Sequence, residues 1–577
     1  MTTMLSDAEF DELCEQTWDT GQLIREAHRA MARTPPLVRL WANPTDPAQG
    51  LLLRGIAADS SSGKFPFKKN RAGTGVLKLR GDHFLARWLM TIPNNPAAKK
   101  NVVISVDHMG GRIRWSGLLK HWRFTKDKDG IRFLEATFVD DLQFLSYLLA
   151  PPNPALPLGL FQFPRVFTLL GPTIWAASMT IWLNLWRFQG NWWNLPDDPF
   201  DFSQWTDAHN MNTWQVIIKA PTFFNDPSLP TLLAARMDPI DKVIEDAIDD
   251  AQVVIRYRRI FTVDGEVSGV PGVDNPRNGV LVLSLHDRSG YYEDTGTGTT
   301  GTVLDGFKRS IAQFASGFME TVDVFVSDDQ TLTPPEYYLK KWFGVVPSHP
   351  WIVLRDSEWS NIEASDLSWG PAGPVQIVVG GQNEFADSAI ELAIQAAGNM
   401  IGYFFLGGFS SAGDMAATVI MPLLRGTVLA WNNFKSGARA INLGWVHLME
   451  MYQSGANNAW TISAVMAIRT GMLATADESA SKMRMSAGAP YYPGLHMLTG
   501  DRVAHSIEGM TDSITTDPLF VNQIEEMNLA WDAEQDAPHD YEITAGTGKA
   551  LMTQAERSSR LMSKAMATLQ NIGVSLV

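Results

Sequence analysis

The sequence predicts an α+β multidomain protein: a β-barrel-like domain, then an α/β domain, with two apolar helical insertions. Three observations lead there. Short stretches that alternate apolar with polar residues, separated by Gly, Pro and Asn turns, fill residues 37–150. Helical and extended patterns then alternate between about 213 and 382. Two runs without a formal charge, Val166–Trp186 and Leu392–Gly413, each reach the ~20 residues that cross a bilayer as a helix. A length of 577 residues agrees with several domains at roughly 150 residues each.

Residues 1–36 form a helical arm. The stretch from Leu5 to Arg33 has helical spacing, Ser6 and Glu9 have the spacing of a capping box, and Thr34-Pro35-Pro36 ends the helix. The β-rich domain (37–150) follows, built from LVRLW, GLLLRGI, GVLKLRG, the long NVVISVDHMGGRIRWSGLLKHWRFTKD and DGIRFLEATFVDD, with a short helix at His83–Thr91. Pro151-Pro152 closes it. Residues 151–212 carry the first uncharged run and a tryptophan cluster, and read as an apolar helical segment. In the α/β domain (213–382), TWQVIIK, QVVIRYRRIF, NGVLVLSLHD and TVDVFVSDD are strands, and DPIDKVIEDAIDDA and TVLDGFKRSIAQFASGFME are helices. The Gly/Ala-rich segment 383–450 reads as a helical hairpin with Asp414 at its turn. A mixed helix/strand domain (451–545) and a C-terminal helix (546–577) complete the chain.

A net charge of −15 argues against tight binding of nucleic acid through phosphate neutralisation. It suits a surface past which DNA slides without sticking. One cysteine, Cys14, excludes an intrachain disulfide and a cysteine-based zinc site. The acidic opening residues lack the basic and apolar regions of a signal peptide. Of the 20 tryptophans, Trp175, Trp182 and Trp186 fall in the first uncharged run. Their rings suit sites that are apolar at one end and wet at the other, whereas for scattered tryptophans such as Trp41 and Trp351 core packing is the better reading.

The catalytic search finds no firm site. Gly296, Gly298 and Gly301, with Glu320 downstream, outline a dinucleotide fingerprint. The preceding strand ends near Asp287, too far upstream, and Glu293 and Asp294 would repel a pyrophosphate; a flexible loop is the plainer reading. The histidines are dispersed, so no metal site is expected, and the acidic pairs sit at element ends as caps and turns. The uncharged runs are the better functional signal. Buried interface or interior helix is one reading; conditional insertion into a bilayer is the sharper one. Candidate membrane or interface residues are Trp175, Trp182, Trp186, Met400, Phe404, Phe405, Leu406, Phe409 and Asp414. Asp414 would sit at a hairpin tip, because a mid-bilayer carboxylate costs about 3 kcal/mol or more.

The order of segments resembles the minor tail proteins of actinobacteriophage siphoviruses, mycobacteriophages among their hosts' phages, that form the tail-tip or baseplate hub. The resemblance is carried by NVVISVDHMGGRIRWSGLLKHWRF with DGIRFLEATFVDDLQFLSYLLAPPNPALPL, by LWRFQGNWWNLPDDPFDFSQW, and by NAWTISAVMAIRTGML, GAPYYPGLHMLTGDRV and EEMNLAWDAE, over roughly residues 30–535. It implies β-barrel-like and α/β hub domains in a homotrimer at the virion tail tip, assembled in the host cytoplasm. Such a hub closes the tail tube, contacts the distal tail protein, the tape-measure protein and other minor tail or tip proteins, and opens for DNA ejection. The host envelope is a further partner, and genomic DNA is met only in passage. The resemblance supplies no catalytic residue and no cofactor. The rival readings are a cell-wall hydrolase, a nucleotide-binding enzyme using the 296–301 loop, and a pore-forming protein.

Overall fold

The computed structural model describes residues 7–46, 49–158, 166–190, 210–289, 352–357, 362–380, 431–453, 462–485, 491–507, 519–533 and 537–546, with a few shorter pieces. Helix α1 (Asp7–Arg33) has carboxylates in its first half and arginines in its second, as the helix dipole favours. Pro35 and Pro36 then impose extended backbone, and β1 (Leu37–Ala42) begins. There follow β2 (Leu52–Ile56), β3 (Ser62–Lys68), β4 (Thr74–Arg80), helix α2 (Phe84–Thr91), β5 (Val102–His108), β6 (Ile113–Lys126) and β7 (Arg132–Asp140). His83 caps α2, its Nδ1 accepting from the Leu85 N–H at 3.2 Å.

The chain then enters an α/β unit through α3 (Gln143–Ser146) and β8 (Leu149–Ala150). Its elements are β9 (Phe167–Pro172), α4 (Thr173–Gln189), β10 (Val216–Lys219), β11 (Pro230–Ala235), β12 (Asp238–Pro239), α5 (Ile240–Asp250), β13 (Val253–Ile260) and β14 (Val280–Asp287). The central strands run in the order β10-β14-β13, with β10 parallel and β13 antiparallel to β14. Helices α4 and α5 supply Ile174, Ala177, Ile181, Ile240, Ile244 and Ile248 to a core shared with Val216, Ile218, Leu281 and Leu283. Between 216 and 287 strands alternate with α5, and the unit takes in β9 and α4 before residue 213; the helix expected at 302–320 lies outside the described residues.

Short pieces β15 (Glu293–Asp294), β16 (Val324–Val326) and β17 (Val345–Val346) precede β18 (Val353–Asp356) and β19 (Ile362–Gly370). A small group follows: β20 (Gln376–Gly380), β21 (Trp431–Lys435), α6 (Gly437–Leu443), β22 (Glu450–Tyr452) and α7 (Ile462–Ala474). The last strands are β23 (Glu478–Met485), β24 (Arg502–Ile507), β25 (Leu519–Asp532) and β26 (Ala537–Gly546).

These C-terminal strands join the N-terminal ones in a single large antiparallel path, β19-β23-β26-β25-β3-β4-β7-β6-β5-β1-β2. The expected β-barrel is therefore corrected to an open sheet. Closure of the N-terminal strands would need β2 to pair with β3. Instead the free side of β3 takes β25, with Phe65 opposite Leu529 and Phe67 opposite Met527. Phe65, Trp115, Phe138, Met527, Leu529 and Ile543 are buried together, so one core binds both ends of the sequence.

The first apolar helical insertion is also corrected, and the second has no support among the described residues. The first run is split at Gly171-Pro172 into strand β9 and helix α4, both packed in the α/β core. Proline at the helix threshold lacks the N–H that a continuing helix would need, which is why one long helix does not form. Among the described residues, no helix is long and apolar enough to cross a membrane. Residues 381–430 lie outside the described residues; from 431 the expected hairpin region is strand, short helix and strand. The 296–301 glycines, Glu320, Ser6 of the capping box and the helix expected after residue 546 also lie outside them.

Candidate assembly surfaces and the seams behind them

The large sheet meets the α/β unit in a seam of ion pairs. Arg39 of β1 reaches Asp107 of β5 at 2.8 Å and Asp264, after β13, at 2.6 Å. Arg114 of β6 holds the other Asp107 oxygen at 2.5 Å, Glu266 at 2.7 Å and the Arg259 carbonyl at 2.6 Å. Arg258 donates to Glu266 at 2.6 Å, and Arg259 grips both oxygens of Asp141 at 2.5 and 3.0 Å. Phe261 lies flat on Trp41, ring centres 4.0 Å apart, with the Arg39 and Arg114 guanidiniums 4.9 and 4.7 Å from the Phe261 ring centre.

This seam lasts because each charge taken from water meets an opposite charge with hydrogen-bonding geometry. Burial alone would raise the Glu266 carboxyl. Arg114, the Phe261 N–H and Arg258 outweigh it and hold the group down at about 2. Burial likewise opposes the charge on Arg114, yet Asp107 and Glu266 raise its pKa. Asp140, at the end of β7, is pushed by burial up to about 8, against the pull of the Gly73 and Leu142 N–H groups.

A second seam joins the α/β unit, the turn after β3 and the C-terminal strands. The Asn70 side chain donates to the Val253 carbonyl and accepts from the Ile255 N–H, both at 2.8 Å, as a strand would. Lys69 reaches Glu525 and Gln523, each at 2.8 Å, and Asp501 takes Arg256 at 3.2 Å and Arg288 at 3.3 Å. Arg469 of α7 meets Asp250 of α5 at 2.7 Å, with side chains 1% and 2% exposed. The foot of α1 rests on a histidine and tyrosine group: His539 Nε2 is 2.5 Å from the Ala32 carbonyl, and His108 Nδ1 is 2.7 Å from the Tyr541 hydroxyl. Burial, with His539 beside it, pushes His108 down to about 4.

These groups neutralise one another inside the chain, and the arrangement is mechanical. Among the described residues, no cluster of His, Cys, Asp or Glu is placed to hold a metal ion. The outward features are apolar. Trp445 is 95% exposed between α6 and β22, where Val446 and Met449 are exposed too, as is Ile441 on α6. Leu52, Leu53, Ile56 and Phe84 are exposed at the β2 edge, and Leu13, Trp18, Leu23 and Ile24 along α1.

The expected site residues divide. Trp175, Trp182 and Trp186 are half-buried on α4: Trp175 meets Phe223 edge-on at 5.0 Å, and Trp182 and Trp186 stack at 6.5 Å. The N-terminus of α4 is held by Asp226, which accepts from the Trp175 N–H at 2.6 Å, and by Ser228, which accepts from the Ile174 N–H at 3.0 Å. Met400, Phe404, Phe405, Leu406, Phe409 and Asp414 lie outside the described residues. Sequence reasoning missed the ion-pair seams and the exposed groups around Trp445 and Phe84. The alternation of Arg with aromatic residues in QVVIRYRRIF was the one available signal for the first seam.

Charges joined within the chain and apolar side chains turned outward define the class: a structural component built for contact with other proteins. The chain belongs to the Siphovirus ReqiPepy6 Gp37-like protein family, whose model matches residues 37–547. It is a phage minor tail protein and a component of the virion tail. It is 28% identical to minor tail protein Gp28 of Mycobacterium phage L5, over 85% of this chain and 88% of that one. It is also 28% identical to minor tail protein Gp28 of Mycobacterium phage D29, over 92% of this chain and 94% of the relative. Among solved structures it is similar to a tail protein from Neisseria meningitidis MC58 (TM-score 0.38, 10% identity, 90% of this chain and 98% of that chain). Another is the 43 kDa tail protein of prophage MuSo2 from Shewanella oneidensis (TM-score 0.39, 9% identity, 89% and 99%).

Proposed function

We propose that this minor tail protein is the tail-tip, or baseplate, hub. It closes the tail tube as a homotrimer and docks the distal tail protein, the tape-measure protein and the outer tip proteins. It opens for DNA ejection and carries out no catalysis. The observation that carries this reading is the open sheet, whose path ends at β2 and β19 among the described residues and which is braced against the α/β unit by the ion pairs Arg114–Glu266 and Arg259–Asp141. A stiff sheet whose two end strands take no further strand among the described residues is a part that neighbours complete. The acidic charge of −15 supports a wall that DNA passes without adhering.

Gold-labelled antibody against the chain, viewed on intact phage particles, tests the placement. Label at the distal end of the tail is expected; label along the shaft or at the head junction refutes it. In this reading the segment 386–450 faces the tape-measure protein or the distal tip and inserts into the host envelope at ejection, and 390–424 is the part whose deletion tests it. Deleting that segment should leave particles assembled and abolish DNA delivery. Loss of tail assembly would make it a buried interface instead.

A further inference from the structure

We propose that α1 is an acid-released arm: four histidines latch its foot to the body of the protein, and protonating them frees the helix. The proposal does not depend on where in the tail the chain stands or on how many copies assemble. Among residues 11–33 of α1, only Gly21, Gln22, His28, Met31 and Ala32 are not exposed, so the helix rests on the body chiefly through its last turns. Ala32 is buried, and Met31 lies over Gly110, where an added Cβ would come 3.5 Å from its sulfur. An attachment this small is decided by a few side chains. Four of the chain's 11 histidines gather at it.

The four form two pairs. His28 of α1 meets the His496 ring edge-on with centres 5.3 Å apart, and the Tyr492 ring at 6.4 Å. One helical turn on, His539 Nε2 holds the Ala32 carbonyl at 2.5 Å, and the His539 and His108 rings lie 4.9 Å apart. His28 and Ala32 are four residues apart, about 6 Å along one helix face, so the pairs line a single seam. Two positive rings in either pair would repel each other across such a gap. His496 also makes a bond that only the neutral ring can make, its Nδ1 accepting the Tyr492 N–H at 2.9 Å. A proton on Nδ1 turns that acceptor into a donor aimed at another donor.

The surroundings disfavour charge on the rings. Burial, with His539 beside it, holds His108 at about 4, and the Ala32 and Thr34 carbonyls oppose this only in part. Burial, with His28 beside it, lowers His496 as well. The elements around the seam bring Arg25, Arg29 and Arg33 on α1, Tyr491 and Tyr492 beside His496, Arg112 in the β5–β6 turn and Tyr541 on β26. Arg258 donates to the Gly111 carbonyl at 3.0 Å in the same turn. Glu26 stands two residues before His28, on another side of the helix. Asp107 and Asp540 are each one residue along a strand from a histidine, and so on the opposite face. Both are engaged there, Asp107 by Arg39 and Arg114 and Asp540 by Arg484. A histidine held down in this way favours the docked arm fully above pH 6.5 and loses that hold as pH falls towards its docked value. For His108 alone, moving from pH 7.5 to 5.0 multiplies the opening constant by about 30, and His496 adds to this. Release frees a 27-residue helix, about 40 Å long, to swing on the Thr34-Pro35-Pro36 tether.

Amide hydrogen exchange on the full-length protein at pH 7.5 and 5.0, with intrinsic rates divided out, reads the arm in peptides covering 26–36. An undocked helix end frays in water, so release shows as exchange. Exchange there should rise about thirtyfold or more at pH 5.0, with its onset near 6.5, while peptides covering 240–250 and 280–287 stay protected. Equal protection of 26–36 at both pH values overturns the proposal. So does opening of all three segments together, which would make the histidines ordinary core groups. The His108→Gln, His496→Gln double variant should keep the parent's circular dichroism and lose most of the pH response. His496→Gln alone, at the less buried pair, should shrink the response by about threefold, and it decides the matter where the double variant does not fold. A full response in a folded variant overturns the latch.

Discussion

Replacing Arg469 by methionine should loosen α7 from the α/β unit far more than the loss of one surface charge would. Arg469 is fully enclosed between α7 and α5, donating to Asp250 at 2.7 Å and to the Pro230 carbonyl at 3.0 Å. Methionine fills much of the volume but leaves the Asp250 carboxylate buried beside an apolar chain. Breaking a buried pair from one side costs about 3–5 kcal/mol. In terms of opening equilibria, about 4 kcal/mol is nearly a thousandfold. Amide hydrogen exchange followed by mass spectrometry on peptides covering 462–474 reads this directly, because local opening governs the rate there. The double variant Arg469→Met, Asp250→Leu removes both charges and should recover most of the protection, since an apolar pair of similar size is often neutral or better. Exchange within threefold of the parent in the single variant would refute the reasoning. So would a double variant as open as the single one.

Three further outcomes follow from the same structure. Glu266→Gln removes two charge-assisted bonds, to Arg114 and Arg258, and should lower stability by about 2–4 kcal/mol in urea titrations, with 253–266 the first segment to exchange. Gly500→Ala should cost about 2 kcal/mol or more, because φ is +86° and the new Cβ would lie 2.2 Å from Val254 Cγ2; a melting temperature equal to the parent's would contradict this. His108 and His505 are held neutral at about 4 by burial, against an ordinary 6.5. The unfolded chain takes up these protons first, so their stabilisation is complete above pH 6.5 and is lost as pH falls towards about 4, by about 3 kcal/mol each. Denaturation curves that coincide at pH 7 and pH 5 would refute that assignment.

Much of the local structure was legible in the sequence because it depends on near neighbours. Alternation in GVLKLRG and DGIRFLEATFVDD gives β4 and β7, and the apolar spacing of DPIDKVIEDAIDDA gives α5. His83 before a short apolar helix is likewise a local signal. What could not be read is what depends on distant partners. Nothing in SGKFPFK announces that its open side belongs to β25, and Arg39 gives no sign of Asp264, 225 residues on. The first uncharged run misled by its composition. Its Gly171-Pro172 break was visible, but the Asp226 and Ser228 groups that hold the new helix start come some 50 residues later. The outward aromatic groups were illegible because exposure is set by what fails to pack, which no single segment reveals.

The union of β3 with β25 has a consequence for the order of synthesis. Lys69 must wait for Gln523, 454 residues downstream, before the sheet is whole. At ~5–20 residues per second that interval is roughly 20–90 s. Throughout it, the N-terminal strands offer a bare edge to any passing chain. Lys64, Lys68 and Lys69 crowd that edge, and lysines discourage foreign strands from pairing. The nascent protein thus guards, with its own positive charge, the place reserved for its last strands.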